Sequence, residues 1–190
     1  MKIVFAAALF AIAVLTACAP TPTVRANTDP SVDLATYRSY AFASDPGTDR
    51  AGYSTPITSY FKQAIRREMD SRGYRYVESG DADLLVNFNA NAHERVEVRS
   101  TPAPAYGGYY GYRTGLYGVG HVYVAAPDVQ TVRYKVGTAN IDIVDWRQKQ
   151  LVWEGVIEGR LTDKMMENPQ AAIDAAVAEM YRKFPGSAGA

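Results

Sequence analysis

Few residues in this sequence have the types and spacing that chemistry requires. His93 stands beside Glu94 and near Glu97, and with His121 it completes the histidine inventory. A zinc site needs such ligands to converge from fixed elements, and this run has no diagnostic spacing. The carboxylates Asp142, Asp145, Glu154 and Glu158 form a second set. A hairpin over 137–158 would bring two of them together, as a general acid/base pair demands. Exposed sheet faces carry such residues routinely, however, and Asp145 suits a turn. No G-x-S-x-G elbow occurs. Gly107-Gly108 and the glycines after them lack the strand-to-helix context and the Gly-Lys-Ser/Thr ending of a phosphate loop. The expectation is therefore no catalytic set, no metal set and no cofactor, with a periplasm-facing hydrolase using the 137–158 carboxylates as the alternative.

The one cysteine, Cys18, has a different chemistry in view. Lys2 gives a positive start, Ile3 to Leu15 form an uncharged apolar run, and Leu15-Thr16-Ala17-Cys18 follows. The run is shorter than the ~20 apolar residues a spanning helix needs. Its form is that of a secretory signal, and its last four residues resemble the bacterial lipobox. That resemblance implies cleavage before Cys18, removal of residues 1–17, and acylation of the thiol and the new amino terminus. Several acyl chains hold a protein on a membrane where a single chain does not. An ordinary signal peptide cut after Ala19 is the competing reading of Ala17-Cys18-Ala19. With Ala19 next to the lipidated residue, the sorting rule that the lipobox resemblance imports favours the outer membrane, facing the periplasm.

Tyr106, Tyr109, Tyr110, Tyr112, Tyr117 and Tyr123 crowd a stretch rich in glycine and proline. Tyrosine couples a rigid apolar ring to a hydrogen-bonding tip, and glycine presents such rings from a pliable backbone. The first five make a candidate binding surface for an envelope protein or glycan. The plainer alternative is a biased loop whose rings rest on the domain.

Around these residues the chain organises as follows. Residues 18–27 carry the lipidated cysteine and a Pro/Thr spacer, with a first strand expected over 23–27. Tyr37 to Phe42 alternates as a strand, with Tyr37, Ser39 and Ala41 on one face. Thr55-Pro56 starts a helix by a capping hydroxyl and proline at the first helical position. Ile57, Tyr60, Phe61, Ala64, Ile65 and Met69 give that helix its apolar face, and Gly73 stops it. Tyr74 to Val77 is a short strand. Asp83 to Asn91 is a longer one, with Leu84, Val86, Phe88 and Ala90 inward and Asn87, Asn89 and Asn91 outward. Val96 to Arg99 can prolong it. Residues 101–120 read as a long loop or tongue in which glycine prevents any regular element. Strands resume over 122–124 and 129–136. A hairpin then pairs Ala139, Ile141 and Ile143 with Leu151, Trp153 and Ile157 on its core face. Asn140, Asp142, Glu154 and Glu158 lie opposite. Asn168-Pro169 starts a second helix, buried through Ile173, Ala176, Val177, Met180, Tyr181 and Phe184.

The order predicts one α+β domain over 28–186: a mostly antiparallel sheet with two helices packed on one face, and a Tyr/Gly-rich loop at 101–120. Lys+Arg and Asp+Glu number 20 each, so no basic footprint for nucleic acid exists. With one cysteine, no internal disulfide is available and packing must hold the fold.

The sequence is similar to the bacterial lipoproteins carrying the domain of unknown function 4136. The resemblance rests on Asp29-Pro30, Asp33, Tyr37, Tyr40 and Phe42; on Ala64-Ile65, Gly73-Tyr74 and Asp83-Leu84-Leu85-Val86; and on Gly137-Thr138, Ile141-Asp142, Leu151-Val152-Trp153 and Gly155. Phe42 stands where the family usually has tryptophan. The resemblance implies a lipid-anchored cell-envelope protein, held to the membrane through N-terminal acyl chains, with no established activity. The matched positions are those expected to build core and corners.

Overall fold

The structure is a computed structural model that describes residues 21–49, 54–78, 82–102, 105–111, 116–122 and 127–189; over 99–130 it describes the backbone alone. Its strands are β1 (Thr23–Thr28), β2 (Ser39–Phe42), β3 (Arg75–Tyr76), β4 (Leu84–Pro102), β5 (Ala105–Gly111), β6 (Leu116–Val122), β7 (Pro127–Asp145) and β8 (Gln150–Leu161). Its helices are α1 (Pro56–Ser71), a short α2 (Asp163–Glu167) that sequence reading did not anticipate, and α3 (Pro169–Tyr181).

Both long helices start as their sequences dictate. Thr55 accepts a hydrogen bond from the Thr58 amide ahead of Pro56, and Asn168 accepts one from the Ala171 amide ahead of Pro169. Each cap satisfies a backbone donor that a helix start leaves open, a contribution of about 1 kcal/mol. Gly73, at φ 86°, ends the α1 segment in the left-handed region that a side chain resists.

The main sheet runs β1-β8-β7-β4-β2-β3, and a separate two-stranded sheet joins β5 to β6. The main sheet is mixed, which corrects the expectation of a mostly antiparallel one. β1, β8, β7 and β4 pair antiparallel, whereas β2 runs parallel to both β3 and β4. The physical reason is α1: a strand followed by a helix and then a strand is the crossover that parallel neighbours require.

One core lies between the sheet and the helices. Val86, Ile143 and Trp153 stand opposite one another across β4, β7 and β8, and Phe88, Ile141 and Gly155 form the next row. On this face Phe61 of α1 stacks on Phe88 at 5.3 Å, and Tyr181 of α3 meets Trp153 at 5.5 Å. Both long helices thus cover the same side. Gly155 is required there, since a Cβ on it would sit 2.3 Å from the Trp153 ring.

In β2, which alternates as expected, Tyr40 is fully buried with Phe42 beside it, and Ser39 and Ala41 on the other face are buried as well. One inward assignment changes. In β8, Leu151 is 46% exposed, and the register shift at Ile143/Val144 explains it. The extra residue lets Val152 and Trp153 both turn inward, which breaks the two-residue alternation that sequence reading assumed.

The body's sheet edges are guarded. Lys183 Nζ donates to the Val24 carbonyl of edge strand β1 at 2.7 Å, and β3 at the other edge is two residues long. Charge on an edge and short edge strands both discourage further pairing.

Beyond the body, β4 and β7 continue as a pair. β8 leaves β7 at Lys135, yet β4 and β7 stay in register to Pro102 opposite Pro127. β5 and β6 then pair from Ala105 opposite Val122 to Gly111 opposite Leu116. The 101–120 stretch is thus a tongue containing regular strands. Seven ladder pairs form because strand pairing uses backbone groups, which glycine has like any other residue.

Candidate functional site

The hairpin carboxylates separate into different roles. Asp145 is 5% exposed and accepts from Tyr37 Oη at 2.9 Å and from the Arg147 and Gln148 amides at 2.8 Å each. Burial would push its carboxyl up, but these hydrogen bonds and the Arg147 charge hold it below the usual carboxylate range. Burial and the Asp145 hydrogen bond push Tyr37 up to about 12. Asp145 therefore organises the β7–β8 turn, where Lys149 adopts φ 56°. Glu158 pairs with Arg95 at 3.5 Å.

Asp142 and Glu154 do come together. The register sets Asp142 opposite Glu154, in a row that Asn87 extends on one side and Asn27 on the other. Asn140 Nδ2 lies 3.3 Å from each Asp142 carboxylate oxygen, and Asn27 Nδ2 lies 3.4 Å from Glu154 Oε2. Partial burial raises the Asp142 carboxyl above its ordinary value, Asn140 opposes that shift, and the Glu154 charge adds to it. The row lies on the sheet face opposite the helices. Its close partners are amides, which orient a carboxylate without exchanging protons with it. A groove of about 620 Å³ borders this row along β1, lined by Arg25, Asn27, Glu154, Val156 and Lys183 among others, with no serine, threonine, cysteine or histidine in its lining.

The histidine run does not converge. His93 and Glu94 are consecutive strand residues, so they leave opposite faces, and Glu97 lies roughly 13 Å along the strand from His93. Among the described residues no group of three or more His, Cys, Asp or Glu is placed to hold a metal ion.

Three aspartates among the positions expected to build core and corners tie loops to the sheet through partners that sequence reading did not identify. Asp83 accepts from the Arg38 and Ser39 amides at 2.9 and 3.0 Å and from Ser39 Oγ at 3.0 Å. Burial opposes ionisation there, and the Arg38 and Ser39 hydrogen bonds overcome it, leaving the carboxyl below its usual range. Asp29 accepts from the Ser31 amide and hydroxyl, and Asp33 caps the turn at Leu34–Thr36. The signal in the sequence was Asp-x-Ser at Asp29 and the aspartate immediately before a strand at Asp83.

Of the candidate binding surface, Tyr106, Tyr109 and Tyr110 lie on β5 and Tyr117 on β6, with Tyr110 opposite Tyr117 and Tyr106 opposite His121. Tyr112 lies outside the described residues, as does Cys18.

The pattern that decides the family runs through these structural positions. The family described as "Domain of unknown function (DUF4136)" matches residues 24–186. The chain belongs to that family. Several of its signature residues now have physical roles: Tyr40 donates to Asp70, Tyr74 to the Leu34 carbonyl, Tyr37 to Asp145, and Gly155 makes room for Trp153.

No curated protein matches the chain significantly. Among solved structures, a PDZ domain protein from Parabacteroides distasonis has a TM-score of 0.50 at 14% identity. The alignment covers 87% of this chain and 36% of that one, so the chain spans about a third of that protein's length. The PelC dodecamer from Paraburkholderia phytofirmans aligns at a TM-score of 0.45 and 9% identity, over 84% of this chain and 94% of that one. A minor lipoprotein from Acinetobacter baumannii aligns at 0.36 and 8%, over 78% and 92%. At these identities the likeness concerns the fold alone. No catalytic family is indicated among these matches. Among the described residues no helix is long and apolar enough to cross a membrane.

Proposed function

We propose that this protein is a lipid-anchored lipoprotein of the cell envelope whose DUF4136 domain is a non-catalytic binding or structural module. Cys18 is the acylation site, the outer membrane is its address, and the domain faces the periplasm. The observation that carries the reading is the fate of the hairpin carboxylates. Asp145 is consumed by a turn, Glu158 by Arg95, and the Asp142–Glu154 pair is flanked by amides on a helix-free sheet face. The chemistry that remains is the lipobox resemblance ahead of β1. β1 starts at Thr23, where the first strand is expected, so the stretch between Cys18 and the sheet ends at Pro22.

Mass spectrometry of the mature amino terminus tests the anchor. An acylated Cys18 is expected, with release from membranes after Cys18→Ala, and a chain beginning at Pro20 contradicts it. The hydrolase reading is tested by a screen against envelope polymers. Activity abolished by Asp142→Asn and kept in His93→Ala would replace the present reading.

A further inference from the structure

The tether and the β4–β7 extension leave the body from the same end of the sheet. Thr23 pairs with Glu158, which stands opposite Thr138, which in turn stands opposite Asn91. One step further along, Pro22 lies against Gly159, where an added Cβ would meet it at 3.0 Å, and Gly159 is level with Gly137 and Ala92. From Pro22 back to Cys18 the chain reaches at most about 14 Å. From the level of Ala92, β4 and β7 run on together to Pro102 and Pro127, about 33 Å at the strand rise. β5 and β6 add about 24 Å of strand. An anchor at Cys18 holds the base of this extension close to the bilayer, and the extension is longer than the tether by a wide margin. When the end of the sheet faces the bilayer, an extension of that length along the sheet axis reaches the membrane surface.

The composition fits that surroundings. Between Arg99 and Asp128 the sequence contains one residue of the Lys, Arg, Asp and Glu set, Arg113, and β5 and β6 contain none. They carry tyrosine, leucine, valine, alanine, glycine and one histidine instead. Tyrosine concentrates at membrane–water interfaces, where ring and hydroxyl meet both phases. At the base, Val96 and Val98 are 53% and 63% exposed, with Arg95, Arg133 and Lys135 nearby as well as Glu94.

The ladder also limits the depth. The second sheet has two strands, so each strand has an outer edge of peptide groups with no strand beside it among the described residues. Hydrocarbon would leave those groups unsatisfied, while the hydrated headgroup layer does not.

We propose that the β5–β6 hairpin seats in the headgroup layer of the leaflet that holds the Cys18 acyl chains, and so fixes the orientation of the body relative to the membrane. This rests on the reading of Cys18 as the anchor. The partner is a phospholipid surface, not a second copy of the chain.

The test uses the acylated full mature chain, in which Cys18 has no free thiol. Tyr110→Cys and, separately, Gln148→Cys in the turn at the far end of the sheet are labelled with an environment-sensitive fluorophore. Each protein is reconstituted into vesicles of phosphatidylethanolamine and phosphatidylglycerol, with and without brominated acyl chains. The expected result is severalfold stronger quenching by brominated lipid at Tyr110→Cys than at Gln148→Cys, with a matching loss of quenching by aqueous acrylamide. Acylated protein that floats with vesicles while the Tyr110→Cys label stays open to acrylamide overturns the seating and leaves the anchor standing. A label equally shielded without vesicles shows that protein, the body itself or a second copy, covers the hairpin, which also overturns it. A chain that is neither acylated nor vesicle-bound removes both readings.

Discussion

The body and the extension are built on opposite terms. In the body, Tyr40, Ile65, Met69, Leu84, Phe88, Ile141, Ile143 and Tyr181 are fully buried against two helices, and both sheet edges are guarded. In the extension, β4 and β7 run on as a pair beyond the end of β8, and Val96 and Val98 are exposed. A two-stranded ladder alone is marginal in water. This difference is the ground for placing the proposed membrane-facing surface on the extension, because burial has already used many groups of the body for folding.

That contrast can be broken by substitution. Trp153→Ala removes the ring that Tyr181 and Phe184 pack on, and a loss of about 3–5 kcal/mol in chemical denaturation is expected. Gly155→Ala forces a methyl into the same ring and should cost about 1–3 kcal/mol. Asp145→Ala leaves two turn amides and Tyr37 Oη without their acceptor, an expected loss of about 1–3 kcal/mol. By the same reasoning Tyr181→Phe, which deletes a buried hydroxyl with no partner among the described residues, should be neutral or slightly stabilising. Val98→Thr in the extension should move the body's unfolding by no more than about 0.5 kcal/mol. A loss there as large as that of Gly155→Ala would erase the distinction between the two regions.

The pH dependence sharpens the comparison within the body. Asp83 and Asp145 have lowered folded-state values, so their contribution is complete above the ordinary carboxylate range and is lost as pH falls through the folded values. Asp142 has the opposite sign. Its raised value means the folded state holds the proton more tightly, so its contribution is present in acid and fades as pH rises past the ordinary value toward the raised one. Asp142→Asn should therefore raise stability at neutral pH, read as a higher unfolding midpoint, while Asp83→Asn should lower it. An Asp142→Asn protein that is less stable at neutral pH would contradict the burial, with the Glu154 charge added, that raises the Asp142 carboxyl.

Much of this was legible in the sequence, for local reasons. Thr55-Pro56 and Asn168-Pro169 mark helix starts because a cap and a proline act within one turn. Leu84, Val86 and Phe88 alternate because one face of β4 is buried, and the polar set Asn140, Asp142 and Glu154 follows from the same period. What escaped was non-local. The parallel pairing of β2 with β4 depends on the α1 crossover, and the exposure of Leu151 depends on a bulge opposite Ile143 and Val144. The corner roles of Asp29 and Asp83 needed their partners brought into place by the fold. The tyrosines of 101–120 were visible as a group, but their pairing in register required a ladder that glycine content argued against.

In the function proposed above, the body is scaffold and the β5–β6 hairpin is the working surface. Amide hydrogen exchange on the acylated mature chain, with and without phosphatidylethanolamine–phosphatidylglycerol vesicles, tests it most directly. The account predicts slow exchange at Ile141, Ile143 and Trp153 in both conditions, and fast exchange over 105–111 and 116–122 that slows when vesicles are added. Lipid-induced protection confined to the Asp142–Glu154 face, with the hairpin unchanged, would contradict it.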